Sequence, residues 1–207
     1  MIVVHHLNNS RSQRILWLLE ELGVPYEIRH YQRMETRLAP PELKAVHPLG
    51  KSPVITDEGL TIAESGAITE YLIDTYGAGR FAPARGSAEW WSYVQWLHFA
   101  EGTAMTPLLL ALYVGMLGEA GAPLHPRIGE QIGTHLAYMS AALGDRKFLV
   151  GDDLSGADIM NSFVLEASSA RGPFADYPNL VAYLRRLQAR PAYVAALEKG
   201  GPYQIGR

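Results

Sequence analysis

The sequence predicts two domains of different fold class, an α/β domain at residues 1–80 and an all-α domain at residues 87–207. Two observations lead to this prediction. Short apolar strands alternate with helical patterns in the first domain, whereas helical periodicity alone continues in the second. The intervening residues 77–86 are rich in glycine and proline, which is typical of a linker.

The first domain opens with a predicted strand, helix and strand. Residues 2–7 begin with an apolar run and form the first strand. Apolar positions at residues 15–22 mark one helix face, and Gly23 and Pro25 end that helix. Residues 26–31 alternate apolar and charged side chains, as a half-buried strand does.

A hairpin and a helix complete the first domain. Residues 54–56 and 60–63 are apolar segments joined by Asp-Glu-Gly, which is typical of a hairpin turn. Residues 65–76 have helical spacing. The order β-α-β, an irregular stretch, and then β-β-α predicts a mixed four-stranded sheet with helices packed against it.

The second domain is predicted to be a helical bundle. Helical periodicity extends through residues 90–105 and 128–143, and further helices fit residues 158–170 and 179–190. Pro191 is expected to end the last of these helices.

Composition excludes several classes of function. The 18 Lys and Arg against 21 Asp and Glu give a net charge of −3, and no long basic block suggests nucleic acid. With no cysteine, disulfides, thiolate metal sites and catalysis by a protein thiol are excluded. His5 and His6 are adjacent on a strand and face opposite sides, and no histidines have helical ligand spacing, so no metal is expected.

No segment is typical of secretion or of membrane insertion. The N-terminus lacks the basic region and the long apolar core of a signal peptide. The longest uncharged run, residues 102–118, contains proline and glycine and is shorter than the roughly 20 residues of a spanning helix. A cytoplasmic protein that binds no membrane is expected.

Ser10, between the first strand and the first helix, has two interpretations. Ser10-Arg-Ser-Gln13 fits a capping box, with Ser10 as the N-cap and Gln13 at the reciprocal position. Alternatively, a hydroxyl beside a helix N-terminus can donate a hydrogen bond to an anion, and such a site suits a bound thiolate.

Two further segments have both a structural and a ligand-binding interpretation. A cis peptide at Ser52–Pro53 would leave the Ser52 backbone free for an extended ligand, although a trans proline at a strand start is more frequent. Glu64-Ser65 fits a helix start, with the charge of Glu64 well placed against the helix dipole. The same pair offers a carboxylate for an ammonium group and donors for a carboxylate, as the head of an amino acid requires.

In combination, these segments resemble the glutathione-binding segments of cytosolic glutathione S-transferases. The resemblance is found in residues 7–22, in PLGKSPV at 48–54 and in AESGAI at 63–68. Residues 39–50 and 98–102 look most like a Ser-type, theta-like branch of bacteria and fungi. The resemblance covers essentially the whole chain. It implies a thioredoxin-like N-terminal domain, an all-α C-terminal domain and a homodimer.

The resemblance also implies a role for each candidate residue. Ser10 would be the catalytic serine that hydrogen-bonds the glutathione thiolate. Ser52, before a cis-proline at Pro53, would pair its backbone with the cysteinyl unit of glutathione. Glu64 and Ser65 would hold the γ-glutamyl group.

Three other positions are assigned by the same resemblance. Lys51 would face the glycine carboxylate of glutathione. Glu101 would reach the γ-glutamyl amine across a dimer interface. Tyr113 would overhang a second-substrate pocket, although an ordinary core or surface aromatic is the more frequent role for such a residue.

Ser155 and Asp158 are assigned to stability and not to catalysis. Leu154-Ser155-Gly-Ala-Asp158-Ile159 fits a capping box with a hydrophobic staple, in which Ser155 is the N-cap and Asp158 stands at N3. The family has this box at the start of a buried helix.

The implied activity is conjugation of the cosubstrate glutathione to a small electrophile, without a metal. Two alternatives stay open. The same site could support a glutathione-dependent peroxidase, dehalogenase or isomerase, or the chain could be a non-catalytic glutathione-binding interaction module. Because the chain has no cysteine, the reacting thiol must arrive with the ligand.

Overall fold

The computed structural model describes residues 1–170 and 173–205, and these form two compact units. The first unit contains residues 1–82 and 188–204, and the second contains residues 83–187. Residues 171–172 and 206–207 of the predicted helical domain lie outside the described residues.

The first unit is built on the mixed sheet that the sequence predicts. Its strands are β1 (Ile2–Leu7), β2 (Tyr26–Tyr31), β3 (Val54–Asp57) and β4 (Leu60–Ala63), in the order β2-β1-β3-β4. Strand β1 is parallel to β2 and antiparallel to β3, and β4 is antiparallel to β3. The predicted fold class is therefore confirmed.

Three helices accompany this sheet. They are α1 (Gln13–Leu22), α2 (Pro41–Val46) and α3 (Ser65–Tyr76). The short α2 lies in the stretch predicted to be irregular, and its proline occupies the start of the helix, where a missing N–H costs nothing. The side chains from Ile15 to Leu19 are all fully buried, so α1 is covered on more than one face.

The second unit is helical, as predicted. Its helices are α4 (Ala88–His98), α5 (Met105–Gly115), α6 (His125–Leu143), α7 (Gly156–Ser169) and α8 (Pro178–Gln188). A π-helical segment, Phe99–Ala104, joins α4 to α5 where the periodicity predicts one continuous helix. A 3-10 segment, Gly118–Leu124, precedes α6.

Helix α9 (Pro191–Gly200) is an element that the sequence analysis missed. Pro191 begins this helix instead of only ending the previous one, because proline is well suited to the first helical position. Although residues 87–207 were predicted to form one domain, α9 groups with the first unit. Its buried residues Tyr193, Ala196 and Gly200 explain this, since Tyr193 packs edge-to-face on Trp17 of α1 at 5.4 Å between ring centroids.

One stretch of the described residues, Ala88–Gly115, is long and apolar enough to cross a membrane by length and composition. Tyr93, Trp96 and Leu97 on this stretch are nevertheless buried inside the second unit. Of the most apolar 18-residue window in this stretch, 39% is buried, and one such stretch is weak evidence of a membrane span.

The capping box at the start of α7 is present as the sequence predicts. The Ser155 N–H donates to the Asp158 carboxylate at 2.8 Å, and the Ser155 hydroxyl donates to the same oxygen at 2.9 Å. The other oxygen of Asp158 accepts the Leu149 N–H at 2.8 Å and the Tyr183 hydroxyl. Asp158 therefore holds a helix start, a loop and a neighbouring helix together.

Candidate functional site

The strand register brings three of the predicted segments to one edge of the sheet. Because β3 is antiparallel to both β1 and β4, the end of β1, the start of β3 and the end of β4 lie together. Val54 pairs with β1 on one side and with Ala63 on the other. The loop after β1, the Ser52–Pro53 segment and the Glu64–Ser65 segment continue directly from these strand ends.

Ser10 lies in this loop and is 5% exposed. Its Oγ accepts the Ser12 N–H at 3.2 Å, lies 2.8 Å from Ser12 Oγ and is 3.5 Å from Ser52 Oγ. The contact with the N–H two residues ahead is one that an N-cap serine makes. Ser10 and Ser52, predicted from separate motifs, are thus in contact.

The predicted capping box at Ser10 is wrong in both halves, the N-cap at Ser10 and the reciprocal Gln13. Regular helix begins at Gln13, with Ser12 preceding it, and Ser12 makes no capping hydrogen bond through its side chain. The Gln13 Oε1 and Nε2 atoms are buried and have no hydrogen-bond partner, so Gln13 does not reach back to residue 10. The reason is tertiary, since Gln13 Oε1 faces Gly200 of α9.

The Ser52–Pro53 peptide is cis, as the family resemblance implies. The Ser52 hydroxyl donates to a backbone carbonyl of β1 at 2.9 Å and accepts the Leu7 N–H at 3.3 Å. These bonds hold the Ser52 side chain against β1. Pro53 is buried, whereas the neighbouring Lys51 is exposed.

Glu64 and Ser65 form the turn from β4 into α3. Glu64 has a φ of 70°, a left-handed conformation that is uncommon for a residue with a side chain. Such a conformation costs of order 1–3 kcal/mol, and strained residues of this kind cluster at active sites and ligand clamps. The side chain of Glu64 is exposed, whereas Ser65 is 3% exposed.

Residues far along the chain hold the loop that leads to Ser10. Arg33 donates to the backbone carbonyls of Asn8 and Asn9 at 3.2 and 3.1 Å. The Gln204 N–H donates to Asn9 Oδ1 at 2.7 Å, and Asn9 has a φ of 50°, which asparagine tolerates better than most residues. No local motif marks Arg33 or Gln204, so sequence reasoning missed both.

His6 lies on β1 and is connected to Ser10 through the Ser12 hydroxyl. Its Nδ1 is 2.9 Å from Ser12 Oγ, and its ring also hydrogen-bonds the Gly200 backbone carbonyl. Burial, and secondarily His30 on β2, lower the pKa of His6 to about 4. The ring is therefore neutral at pH 7. The sequence alone predicts no role for His6.

The candidate residues at this edge offer hydrogen-bond donors, acceptors and both signs of charge. They are the buried Ser10 and Ser65, the Ser52 backbone, and the exposed Glu64 and Lys51. Within residues 1–170 and 173–205, no group of three or more histidine, aspartate and glutamate side chains is arranged to hold a metal ion.

Two predicted site residues lie in the second unit. Glu101 is half-buried in the π-helical segment. Tyr113 is near the end of α5 and is 59% exposed, so it is not a core aromatic. The roles that the resemblance implies for these two residues stay predictions.

The folds of the two units define a class of protein with a thioredoxin-like domain and an all-α domain. Family models match both parts, the glutathione S-transferase N-terminal domain over residues 1–74 and the C-terminal domain over residues 90–191. The chain belongs to the glutathione S-transferase family.

Individual relatives agree with this assignment. Glutathione S-transferase 3 of Schizosaccharomyces pombe is 36% identical, with 96% of this chain and 88% of the relative covered. A glutathione S-transferase structure from Actinobacillus pleuropneumoniae is 39% identical, with a TM-score of 0.88 over 97% of this chain and 93% of that one. The structure of a glutathione transferase family member from Pseudomonas fluorescens is 27% identical to this chain, with a TM-score of 0.80. The match covers 95% of this chain and 92% of the Pseudomonas chain, and that structure is described with two glutathione molecules bound.

Proposed function

We propose that this chain is a Ser-type glutathione transferase that conjugates the glutathione thiolate to small electrophiles. The observation that supports this most directly is the buried Ser10 hydroxyl at the sheet edge, in contact with Ser12 and Ser52. In this proposal Ser10 donates its hydrogen bond to the sulfur of bound glutathione. The glutathione reported with the Pseudomonas fluorescens relative is consistent with this ligand.

The magnitude of such a hydrogen bond suits the chemistry. A free thiol has a pKa of about 8.5, and lowering that pKa by one corresponds to about 1.4 kcal/mol. A hydrogen bond to a charged group contributes about 1.5–3 kcal/mol. One hydroxyl donor therefore lowers the thiol pKa by about one to two, which raises the thiolate fraction at neutral pH.

The other residues at the edge would orient glutathione. In the proposal the Ser52 backbone pairs with the cysteinyl unit, Glu64 and Ser65 hold the γ-glutamyl group, and Lys51 faces the glycine carboxylate. The exposed carboxylate of Glu64 and the exposed side chain of Lys51 are accessible for these roles.

The second unit would contribute the electrophile-binding surface and the dimer contact. Its exposed apolar side chains on α5 and beyond suit an apolar electrophile, and they include Leu110, Tyr113, Met116 and Leu117. We further propose a cytoplasmic homodimer in which Glu101 approaches the glutathione of the partner subunit.

The test of the proposed function is the Ser10→Ala variant with glutathione and a model aryl halide. Loss of one hydrogen bond to an anion is expected to lower kcat about 10- to 100-fold. Glutathione binding, measured by calorimetry, should change little because the remaining contacts persist.

Ser10→Thr is the matched control because it keeps a hydroxyl at this position. It is expected to retain more activity than Ser10→Ala. Turnover by Ser10→Ala equal to that of the original chain would contradict the proposed role of Ser10. Glutathione binding without turnover by the original chain, tested on a panel of electrophiles and hydroperoxides, would instead indicate a binding module.

A further inference from the structure

Asn9, the residue directly before Ser10, is held from two sides. Its side-chain Oδ1 accepts the backbone N–H of Gln204 at 2.7 Å, and its backbone carbonyl accepts a hydrogen bond from the guanidinium of Arg33 at 3.1 Å. Its φ of 50° lies in the left-handed region, which asparagine adopts more readily than most residues. Because Gln204 is 195 positions further along the chain, a distant segment supports this local conformation.

The segment that supplies the Gln204 N–H is itself fixed. It leaves α9 at Gly201, whose φ of 82° and ψ of −158° are a combination that essentially only glycine adopts. The side chain of Tyr203 is 4% exposed, whereas that of Gln204 is exposed. Tyr203 therefore anchors the segment, and Gln204 contributes to the contact with Asn9 through its backbone alone.

Arg33 secures the opposite side of the same loop. Its guanidinium donates to the backbone carbonyls of Asn8 and Asn9, and its backbone N–H donates to Asn8 Oδ1 at 2.8 Å. The Asn8 N–H continues the pairing of β1 with β2 by donating to the Tyr31 carbonyl at 3.1 Å. None of these bonds involves Gln204, so the support from Gln204 can be removed while the support from β2 stays.

The position of Ser10 depends on the conformation of Asn9, since the two residues share a peptide bond. A hydrogen bond weakens steeply when donor and acceptor are misaligned. Misplacing a catalytic group by about 1 Å can cost about 100-fold in rate, even when the change is far from the reacting atoms. The loop that carries Ser10 therefore has to be held as firmly as the hydroxyl itself.

We propose that Asn9 and the Gln204 N–H are positioning groups for Ser10, an inference that rests on the proposed function. The hydrogen bond between them keeps the loop in the conformation that directs the Ser10 hydroxyl at the sulfur of glutathione. Without this bond a fraction of the molecules places the hydroxyl elsewhere, and kcat falls with the fraction that stays competent. In this proposal neither group touches the substrate, and both act through Ser10.

Two variants remove the bond from opposite ends. Gln204→Pro has no backbone N–H to donate, and Asn9→Gly removes the acceptor but adopts a positive φ freely. Each is expected to lower kcat at neutral pH about 2- to 10-fold, the range for one hydrogen bond. Each should also raise the pKa of the bound glutathione thiol toward the free value of about 8.5, as measured by the ultraviolet absorbance of the thiolate.

Three readouts distinguish positioning from a merely structural role. The Kd of S-methylglutathione, which has no thiol proton, should be unchanged because the other proposed glutathione contacts remain. The loss of kcat should shrink above about pH 9.5, where the thiol ionises without help from Ser10. The Asn9→Gly/Gln204→Pro double variant should lose no more than either single variant, since both changes remove the same bond.

Gln204→Ala is the matched control. It removes the exposed side chain of Gln204 but keeps the backbone N–H that contacts Asn9. Its thiolate pKa and its kcat should therefore equal those of the original chain. An equal loss in Gln204→Ala and Gln204→Pro would assign the effect to the side chain and overturn the proposal.

Other results would also overturn the positioning role. A loss in only one of Gln204→Pro and Asn9→Gly, or additive losses in the double variant, would show that the bond between them is not the cause. Normal values in both variants would remove any role for the bond. A Kd for S-methylglutathione that rises as much as kcat falls would indicate general damage to the site. In all these cases, loss of turnover in Ser10→Ala would leave the proposed function intact.

Discussion

At the scale of single residues, burial determines the chemistry of His6 and Ser10. His6 is 3% exposed and has hydrogen-bond partners on α1 and α9, whereas an exposed strand histidine would titrate near its ordinary pKa. Ser10 is similarly enclosed, and its hydroxyl is oriented by Ser12 and Ser52. Ser10 and His6 thus differ from the exposed Lys51 and Glu64 of the same edge, whose side chains solvent reaches.

The lowered pKa of His6 predicts how stability depends on pH. The unfolded chain takes up a proton near pH 6.5, whereas the folded chain does so only near its pKa of about 4. The free energy of unfolding should thus be fully retained above pH 6.5 and fall as the pH drops toward 4, with a loss from His6 of about 2 kcal/mol between pH 7 and 5. Urea unfolding at pH 7 and at pH 5 measures this loss in the free energy of unfolding.

The comparison variant for this prediction is His6→Asn, which has no titrating ring. Its stability should depend less steeply on pH over this interval, even if it is less stable at pH 7. An equal pH dependence in the two proteins would mean that His6 is not the group responsible.

At the scale of elements, α7 depends on a single carboxylate. The two oxygens of Asp158 accept hydrogen bonds from Leu149, Ser155 and Tyr183, which join the loop before α7, its first turn and α8. A buried donor that loses its acceptor costs about 1–3 kcal/mol, so the contacts of Asp158 contribute more than those of an ordinary cap.

Asp158→Ala is therefore expected to destabilise the chain by about 3 kcal/mol or more, because several buried donors lose their acceptor together. Ser155→Ala, which removes only the capping hydroxyl, should cost about 1 kcal/mol. Asp153→Asn is the control, since Asp153 is exposed. Chemical denaturation gives the free energy of unfolding of all three variants. Equal stability of the Asp158 and Asp153 variants would contradict the stabilising role of Asp158.

At the scale of the whole molecule, the last helix completes the first unit. Tyr193 of α9 packs on Trp17 of α1, and Arg190 pairs with Glu21 at 2.5 Å. At Gly200 an added Cβ would lie 2.9 Å from Gln13 Oε1 and 3.0 Å from Leu16 Cδ1, so α9 approaches the side chains of α1 closely at this residue. Residues at the two ends of the sequence thus form one hydrophobic core.

Tyr193→Ala should consequently destabilise the first unit by about 3–5 kcal/mol, as expected when a large aromatic side chain is removed from a core. Val194→Ala on the same helix is the matched control, because Val194 is 43% exposed and its truncation should change stability by about 0.5 kcal/mol or less. Thermal unfolding followed by circular dichroism compares the two. Similar losses would argue against the packing of α9 on α1.

Local periodicity was sufficient to predict most of the elements. The strands, α1 and α3 were predicted because apolar residues repeat at strand or helix spacing with turn residues beside them. Helices α2 and α9 were missed, since α2 is short and Pro191, which begins α9, was interpreted only as the end of the preceding helix. The capping box at Ser155 was predictable because its partners are three residues apart, whereas the box at Ser10 was wrong because α9 determines where Gln13 points.

Composition and neighbouring residues were enough to establish the two fold classes, the absence of a protein thiol and the candidates Ser10, Ser52, Glu64 and Ser65. Which of these candidates meet depends on the tertiary structure. The contact between Ser10 and Ser52 depends on strand register, and the hydrogen bond between His6 and Gly200 depends on α9 returning to α1. Hydrogen bonds between residues distant in the sequence leave no periodic pattern, and only packing brings their partners together.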